Sequence, residues 1–468
     1  MMAAESAHTR EKNSSKVVSP ARREAFAILL VLEKDNANAH SDDLLRGARV
    51  STLSPQDRHL CTTLAMGTLR WQIRLDSLIK PLLNKPNTRL DAEVRVALRL
   101  GALQLLFLDR IPAHAAIGES VALAKAAGHK FASGMVNAVL RKVAALPKPE
   151  QTLPPTLTAK ELTGASAHPV WLVERWIANY GVESARAICQ NGQRQPELTI
   201  RLEDHEAEIV AKGIETAPGA MLIGARRVLS GDVTATEAFR SGRVRIQEEG
   251  SQLIAELAGR GARILDCCAA PGGKTMILAE RNPEARVTAC DVSPARAEAL
   301  RSRIAATPYA ARIDVRRSDA AEFDGTETYD LVLADVPCSG TGTLGRNPEI
   351  RHRLEVADLA RHHARQVAIL RGALRAGSRR VVYSTCSLEP EENAAVVAEV
   401  LAGAPEWCPV SALAVLDVLL QEGRLTTQAA GSLRDAVAAD GSLTILPGSL
   451  GPEIQTDGFF IAILEKAA

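Results

Sequence analysis

The sequence predicts an all-helical region followed by an α/β domain with a mainly parallel sheet. From residue 21 to 143, apolar residues recur about every 3.6 positions, which indicates consecutive amphipathic helices. After residue 250, short apolar runs alternate with helical segments, as is typical of βαβ units. Between the two patterns a proline cluster predicts a linker, because proline fixes φ and lacks a backbone donor: Pro147, Pro149, Pro154 and Pro155.

The front region is predicted to be a helical domain over residues 21–146. Its helices are expected at residues 21–32, 57–83, 90–108, 117–128 and 130–143. Residues 1–20 are polar and serine-rich and contain no long apolar segment, so we expect a disordered leader there.

The middle region, residues 147–249, is predicted to hold the linker and a small α+β domain. A helix is expected at 171–179, and short strands are expected at 198–202, 221–223 and 244–247.

The last region, residues 250–468, is predicted to be the α/β domain. Its strands are expected at 262–266, 286–291, 312–316, 329–334 and 379–384, with helices that begin near residues 274, 294, 355 and 391. The final strand, 458–464, follows a long loop and is expected to be an antiparallel edge strand.

The composition is that of a globular cytoplasmic protein. Of the 468 residues, 46% are hydrophobic and 24% are charged, and the chain contains no uncharged apolar run of about 18 residues, so we expect no membrane span. The eight cysteines show no CxxC spacing, which favours reduced thiols over a disulfide framework. We expect a monomer that binds neither a membrane nor a metal.

The charge is distributed unevenly along the chain. Residues 1–150 contain 22 Lys and Arg against 14 Asp and Glu, whereas the remainder contains 34 against 41. A basic front half suggests contact with a polyanion, most simply a nucleic acid. The alternative is ordinary surface patchiness.

Two cysteines lie at the ends of predicted buried strands. Cys338 occurs in the sequence Asp-Val-Pro-Cys-Ser-Gly-Thr-Gly at 335–342, and Cys386 occurs in Tyr-Ser-Thr-Cys-Ser at 383–387. Thiolates attack electron-poor carbon centres that hydroxyls do not reach at neutral pH, so the pair suggests covalent catalysis. The alternative is that both are small buried residues that pack at strand ends.

Residues 264–275 are predicted to form a strand, a turn of small residues and the start of a helix. Small residues allow a ligand to approach the backbone, and a helix N-terminus offers N–H groups to an anion such as a carboxylate. A phosphate-binding P-loop would need glycine where Cys268 stands, so ATP binding loses its support. Asp291 ends the next strand, where it could accept the hydroxyls of a ribose or, alternatively, cap the following helix.

Two further patterns are interpreted as decoys. Residues 340–345 match GxGxxG, but no helix follows at once, so we assign the segment to substrate handling instead of dinucleotide binding. His352, His362 and His363 lack the i, i+4 spacing of metal ligands, so we assign no metal site.

These motifs together resemble the RNA cytosine-5 methyltransferases of the Fmu/Sun family, which modify ribosomal RNA. The resemblance rests on residues 269–275, 335–342 and 385–387, and it extends to 168–172, 247–251 and 457–460. Residues 98–106 and 136–141 resemble the NusB-like RNA-binding helical domain of the same family. The family resemblance as a whole implies a Rossmann-like methyltransferase domain with a seven-stranded mixed sheet. It also implies S-adenosylmethionine as cofactor and small-subunit (16S) ribosomal RNA as substrate.

The resemblance also implies roles for individual residues. Cys386 would be the nucleophile, Cys338 would assist product release, and Asp335 would lie between the cofactor and the base. Asp291 would contact the ribose and Asp319 the adenine. The loop expected to hold the methionine part of the cofactor consists of Cys268, Ala269, Ala270, Pro271, Gly272, Gly273 and Lys274.

Three arginines that follow the first cysteine motif are expected to contact RNA phosphates: Arg346, Arg351 and Arg353. A solvated helix start is the alternative for them. Two other functions remain open at this point, methylation of transfer RNA and a catalytically silent RNA-binding assembly factor.

Overall fold

The computed structural model describes residues 18–34, 39–149, 153, 158–202, 206–451 and 454–467. The chain forms two compact units. The first extends to Arg175 and also includes Asn347–Arg353, and the second takes Trp176–Arg346 and Leu354 onward. The predicted leader lies outside the described residues up to residue 17.

The first unit is helical, as predicted. Caps define several helix starts; the Ser54 hydroxyl, for example, accepts a hydrogen bond from the backbone N–H of Asp57 at 3.1 Å. Leu64, Leu75 and Leu98 are fully buried where the helices pack together. The helices are α1 Pro20–Lys34, α2 Ser41–Leu45, α3 Ala48–Ser51, α4 Pro55–Ile79, α5 Ala92–Phe107, α6 Ala113–Ala126, α7 Ser133–Ala144 and α8 Ala159–Ser166.

The segment Asn347–Arg353 belongs to this helical unit although it follows the first cysteine motif in sequence. The Ser41 hydroxyl donates to the carboxylate of buried Glu349 at 2.9 Å. The Arg351 guanidinium donates to the backbone carbonyl of Arg70 at 3.1 Å. The segment is therefore part of the packed interior of the helical unit.

Helix α9, Val170–Gln193, is longer than the predicted helix at 171–179 and is interrupted at Gly181, where φ is 81°. The small domain that follows consists of β1 Leu198–Leu202, α10 Glu206–Ala211, β2 Glu215–Pro218, β3 Ala225–Ser230, α11 Glu237–Arg240 and β4 Val244–Ile246. Its strands form an antiparallel sheet in the order β2-β3-β1-β4.

One strand predicted in this domain is absent. Residues 221–223 form only a single bridge, between Leu222 and Leu425. Strands β2 and β3 are not among the predicted strands. In β3, Arg226, Arg227 and an exposed Leu229 interrupt the apolar alternation.

The large domain is the predicted α/β domain. Its helices are α12 Glu249–Ala258, α13 Gly273–Arg281, α14 Pro294–Ala305, α16 Val356–Ala376, α17 Ala394–Leu401, α18 Ala412–Gln421 and α19 Thr427–Asp435; α15, Ile350–Arg353, lies in the helical unit. Its strands are β5 Arg263–Asp266, β6 Arg286–Asp291, β7 Ile313–Arg317, β8 Tyr329–Asp335, β9 Gly377–Thr385, β10 Trp407–Val410, β11 Leu443–Ile445 and β12 Phe459–Lys466.

In the described residues this sheet has eight strands, two more than the six predicted from the pattern and one more than the seven that the resemblance implies. The order is β10-β12-β9-β8-β5-β6-β7, and β11 also pairs with β12. Strands β5 to β9 are parallel, and β12 is antiparallel to its neighbours. Strand β12 is not the edge, since the short strands β10 and β11, which carry little periodic signal, pair with it.

The order of the strands creates a switch point at the carboxyl ends of the sheet. The chain proceeds from β5 to β6 and β7 on one side and then returns to β8 on the other side of β5. Ligands bind at such a switch point, outside the carboxyl ends of the strands. Here these ends carry Asp266 and Asp335.

Within the described residues, no helix combines the length and the apolar character that crossing a membrane requires.

A buried carboxylate joins the small domain to the large one. Glu256 on α12 is 1% exposed, and its oxygens lie 2.6 Å from the Arg424 guanidinium, 2.7 Å from that of Arg201 on β1 and 3.1 Å from that of Arg281. Burial alone would raise the pKa of Glu256, but the three arginines outweigh burial and lower it. The group is therefore a carboxylate at neutral pH.

We predict that Glu256→Gln lowers the free energy of unfolding of the second unit by about 3–5 kcal/mol, because it leaves buried arginines without their counter-charge. Urea unfolding at pH 7 measures this. The control is Glu298→Gln, which breaks an exposed pair with Arg301 and should cost less than about 1 kcal/mol. Equal losses in the two variants would contradict the prediction.

Candidate active site at the strand ends

The two cysteines predicted to act together are adjacent. Cys338 follows β8 and Cys386 follows β9, and these parallel strands pair with Asp335 opposite Ser384. The two sulfurs are 3.3 Å apart, which is a hydrogen-bonding distance for thiols. Both thiols are free and half-buried.

The environment keeps one of these thiols protonated. The hydrogen bond to Cys386 and burial together raise the pKa of Cys338 well above its ordinary value, and the charge of Glu392 adds to the effect. Cys338 therefore remains a thiol at neutral pH and can donate to the Cys386 sulfur, although the geometry allows either sulfur to donate.

Glycine allows three chain segments to meet behind the cysteines. Gly342 donates from its backbone N–H to the carbonyl of Cys386 at 2.9 Å, and its own carbonyl accepts from Gly458 at 2.8 Å. A Cβ at position 342 would collide with the carbonyl of Gly458. The GxGxxG match at 340–345 contains a 3-10 turn at Thr341–Thr343, and the long helix of a dinucleotide site does not follow it directly.

A half-buried ion pair links the candidate cofactor loop to the first cysteine motif. Lys274 lies in the first turn of α13, and its ammonium is 2.7 Å from Oδ2 of Asp335. Oδ1 of Asp335 accepts a hydrogen bond from the Ser384 hydroxyl at 2.7 Å. Burial alone would lower the pKa of Lys274, but Asp335 more than offsets this and the pKa is raised, so the side chain remains an ammonium.

The candidate cofactor loop, residues 268–274, has the local geometry of a ligand cradle. Gly272 caps α13 with φ 104°, a conformation that favours glycine, and leaves the first N–H groups of the helix free of a side-chain cap. A Cβ at Gly273 would lie 2.8 Å from the Gln247 amide oxygen. The buried Oδ1 of Asp266 accepts no hydrogen bond within the described residues, so it is available to a ligand donor.

The two acids assigned to the nucleoside lie at the same edge of the sheet. Asp291 ends β6 and is buried; its Oδ1 accepts from the N–H of Ser293 at 2.9 Å, and its Oδ2 is 3.3 Å from the Arg296 guanidinium. Asp319 follows β7 and caps a 3-10 turn through the N–H of Ala321 at 3.0 Å. Both acids therefore also stabilise the turns in which they lie.

The three arginines expected to contact RNA have internal partners. Arg346 is 2.8 Å from Asp457. Arg351 is 2% exposed and donates to backbone carbonyls of the helical unit. Arg353 is half-buried and donates to a carbonyl at position 39, beside a cavity of about 280 Å³ in the same unit. For Arg351, we correct the expectation of a phosphate contact, because burial withdraws its charge from solvent.

The first of the three histidines considered as metal ligands, His352, forms a hydrogen bond within the protein. Burial lowers the pKa of His352 to about 4, so the ring is neutral and its Nε2–H donates to the carbonyl of Leu69 at 2.8 Å. The described part of the chain contains no group of three or more His, Cys, Asp or Glu side chains placed to hold a metal ion.

Sequence reasoning missed two residues at the site. Asp266 was predicted only as the end of a strand, and Glu392 only as part of the helix expected to begin near residue 391. Glu392 is fully buried and accepts from the N–H of Ser339 at 2.8 Å. The sequence signal that could have identified Glu392 is the group of three glutamates at 389–392, which closely follows the second cysteine motif.

The fold and this site define a Rossmann-like methyltransferase domain that follows a small antiparallel domain and a helical domain. Family models agree with this class. Residues 257–465 match the 16S rRNA methyltransferase RsmB/F model, 19–145 match the NusB family, and 168–211 match the ferredoxin-like domain of RsmF/B-like methyltransferases.

The chain belongs to the ribosomal RNA small subunit methyltransferase B family. It is 34% identical over 461 residues to the probable ribosomal RNA small subunit methyltransferase B of Bacillus subtilis (strain 168), covering 94% of this chain and 98% of the relative. The corresponding Xanthomonas campestris enzyme is 30% identical over the full length of both chains. The crystal structure of PH0851, 22% identical, superimposes with a TM-score of 0.75 over 96% of this chain and 99% of that chain, which shows a shared fold.

The buried carboxyl of Asp266, at the end of β5, gives a prediction for pH dependence; its Oδ2 accepts from the Thr275 hydroxyl at 2.7 Å. Burial raises the pKa of Asp266 from its ordinary 3.8 to about 7. The folded protein therefore holds this proton more tightly than the unfolded chain, and the stability that the group contributes is lost as the pH rises from about 4 to about 7.

Asp266→Asn should remove this loss. Relative to the unsubstituted protein, the variant should gain about 2 kcal/mol in free energy of unfolding at pH 8 compared with pH 5. Urea unfolding at both values measures the difference. Asp457, whose pKa burial also raises to about 7, is present in both proteins and cancels. Exposed Asp435→Asn is the control and should show no such gain. An effect of Asp266→Asn on the free energy of unfolding that is equal at both pH values would contradict the prediction.

Proposed function

We propose that this protein transfers a methyl group from S-adenosylmethionine to carbon 5 of a cytosine in small-subunit ribosomal RNA. The observation that carries the proposal is the contact between two thiols at adjacent strand ends, beside the ion pair of Lys274 and Asp335. Carbon 5 of cytosine is a weak nucleophile, so its methylation needs covalent activation of the ring.

The cofactor would lie along the carboxyl edge of the sheet. The loop 268–274 would receive its methionine part, Asp291 the ribose and Asp319 the adenine, and the free acceptor of Asp266 would take a donor of the bound molecule. When bound, S-adenosylmethionine supplies an electrophilic methyl group on a sulfonium. Small side chains and an uncapped helix N-terminus fit the amino-acid part of such a ligand.

Cys386 would be the nucleophile. Its thiolate adds to carbon 6 of the cytosine, which turns the ring into an enamine with electron density at carbon 5. Cys338, held as a thiol, can donate a hydrogen bond to the Cys386 sulfur and stabilise negative charge there before the attack and after the release.

Asp335 and Lys274 would manage charge on the ring. An Asp335 oxygen would accept a hydrogen bond from the cytosine amino group, and from N3 once the ring is protonated there, while the ammonium of Lys274 compensates the carboxylate. The pair would be fixed before the substrate arrives, because Ser384 holds the second Asp335 oxygen.

Cys338 would complete the cycle. After methylation, the carbon 5 proton must leave so that the bond between carbon 6 and the Cys386 sulfur can break. A water or hydroxide base would take that proton, and the Cys338 thiol, 3.3 Å from the first sulfur, would donate a hydrogen bond to the Cys386 sulfur as the carbon–sulfur bond breaks. The two cysteines would therefore have unequal roles, one in attack and one in release.

The substrate would present an unstacked base. Cytosine carbon 6 is reached only when the nucleotide leaves its stack, so we expect a loop or a partly unfolded segment of RNA. The basic front half of the chain would supply most of the phosphate contacts.

We predict opposite outcomes for the two cysteines. Cys386→Ala should abolish both methyl transfer and any covalent RNA adduct, because the thiolate that attacks is lost. Cys338→Ala should accumulate an adduct that survives a denaturing gel, because release is slowed. Gel electrophoresis of labelled RNA after incubation with cofactor separates the outcomes, and the reverse pattern would show that the roles are inverted.

The substrate is tested with labelled S-adenosylmethionine, using small-subunit ribosomal RNA and transfer RNA in separate reactions. We expect label in the ribosomal RNA, recovered as 5-methylcytosine after nuclease digestion. Label in transfer RNA alone would overturn the substrate assignment. Label in neither RNA would favour a catalytically silent RNA-binding factor.

A further inference from the structure

Glu392 lies at the point where the two cysteine loops meet. It ends the 3-10 turn Pro390–Glu392 and is fully buried. Its Oε1 accepts from the N–H of Ser339 at 2.8 Å and from the Gln366 amide at 2.9 Å. Its Oε2 accepts from the hydroxyls of Ser339 and Ser387.

These donors come from both sides of the active site. Ser339 directly follows Cys338, and Ser387 directly follows Cys386. Their hydroxyls are also 3.0 Å from each other. One carboxylate therefore binds the residue next to each cysteine, which fixes the two loops relative to one another.

The surrounding bonds leave the carboxylate little freedom. The backbone carbonyl of Glu392 accepts from the Tyr383 hydroxyl at 2.6 Å, and the next residue, Asn393, donates to the carbonyl of Ser387 at 2.9 Å. Gln366 also donates to the carbonyl of Pro337 at 3.0 Å, which holds the backbone just before Cys338. A buried charge costs several kcal/mol unless it is hydrogen-bonded, and the four donors to Glu392 meet that need.

We infer that Glu392 is a positioning residue whose carboxylate clamps the Ser339 and Ser387 loops and thereby sets the separation of the Cys338 and Cys386 sulfurs. The inference rests on the proposed function for its catalytic meaning, since the separation matters only if both sulfurs serve one reaction. Displacement by about 1 Å costs about 100-fold in rate when reacting groups must be aligned.

The charge of Glu392 has a second effect that agrees with this role. It helps to raise the pKa of Cys338, behind the contributions of the Cys386 hydrogen bond and of burial. Cys338 therefore remains a thiol that can donate toward the Cys386 sulfur, while the clamp would fix the distance between the two sulfurs.

The separation is measured without RNA by titrating the full-length protein with phenylarsine oxide. This trivalent arsenic reagent condenses with two neighbouring thiols to form two As–S bonds and release one water, with no change of oxidation state. The bridged species is quantified by native mass spectrometry. Arsenic bound to both cysteines is the difference between the arsenic bound by the unsubstituted protein and that bound by Cys338→Ala. We expect tight binding to the unsubstituted protein.

Glu392→Gln should weaken arsenic binding about tenfold, because an amide nitrogen replaces one of the oxygens that accept from the serines. The lost charge acts in the opposite direction, since it would ease ionisation of Cys338, so weaker binding reports position. Ser387→Ala removes only one donor and should weaken binding in the same direction. Exposed Glu406→Gln removes a charge elsewhere in the domain and should leave binding unchanged.

In the methyl-transfer assay, Glu392→Gln should lower kcat by about 10-fold to 100-fold and leave KM for the RNA unchanged. Unchanged arsenic binding in both Glu392→Gln and Ser387→Ala, or no bridging in the unsubstituted protein, would overturn the inference. If the unsubstituted protein bridges arsenic but methylates no RNA, the proposed function fails while the clamp stands.

Discussion

The parallel pairing of β8 with β9 is the constraint on which the active site depends. In this register Asp335 stands opposite Ser384, so the two strands end at the same level and their loops begin side by side. The thiol contact, the hydrogen bond from Ser384 to Asp335 and the serines that meet Glu392 all follow from that alignment. A one-residue slip would turn each of these side chains to the other face of the sheet.

The central part of this arrangement was predictable from sequence, whereas its edges were not. Strands such as β6 and β8 are buried along most of their length and contain short, mainly apolar segments that end in aspartate, so their bounds were predicted within a residue. The short strands β10 and β11 give too few residues for a pattern, and the polar residues of β3 hide its alternation. The observed sheet therefore contains two strands that the pattern did not predict, β10 and β11, and β12 is not an edge strand because both pair with it.

The site shows the same division. Two cysteines at strand ends could be paired from sequence because parallel strands end at one edge. The clamp by Glu392 could not, since its donors lie 5, 26 and 53 residues away in sequence and only packing brings them together. Arg351 failed for the related reason that sequence records charge but not burial, and this guanidinium satisfies backbone carbonyls inside the helical unit.

The inclusion of Asn347–Arg353 in the helical unit has a consequence for how the chain folds during synthesis. The helices up to α8 leave the ribosome well before this segment is made. Until it arrives, the Ser41 hydroxyl lacks the carboxylate of Glu349, and the carbonyls that Arg351 caps have no guanidinium. The N-terminal helices can therefore collapse early, but the order of translation delays their final packing until Arg353, beyond the first cysteine motif, has been synthesised.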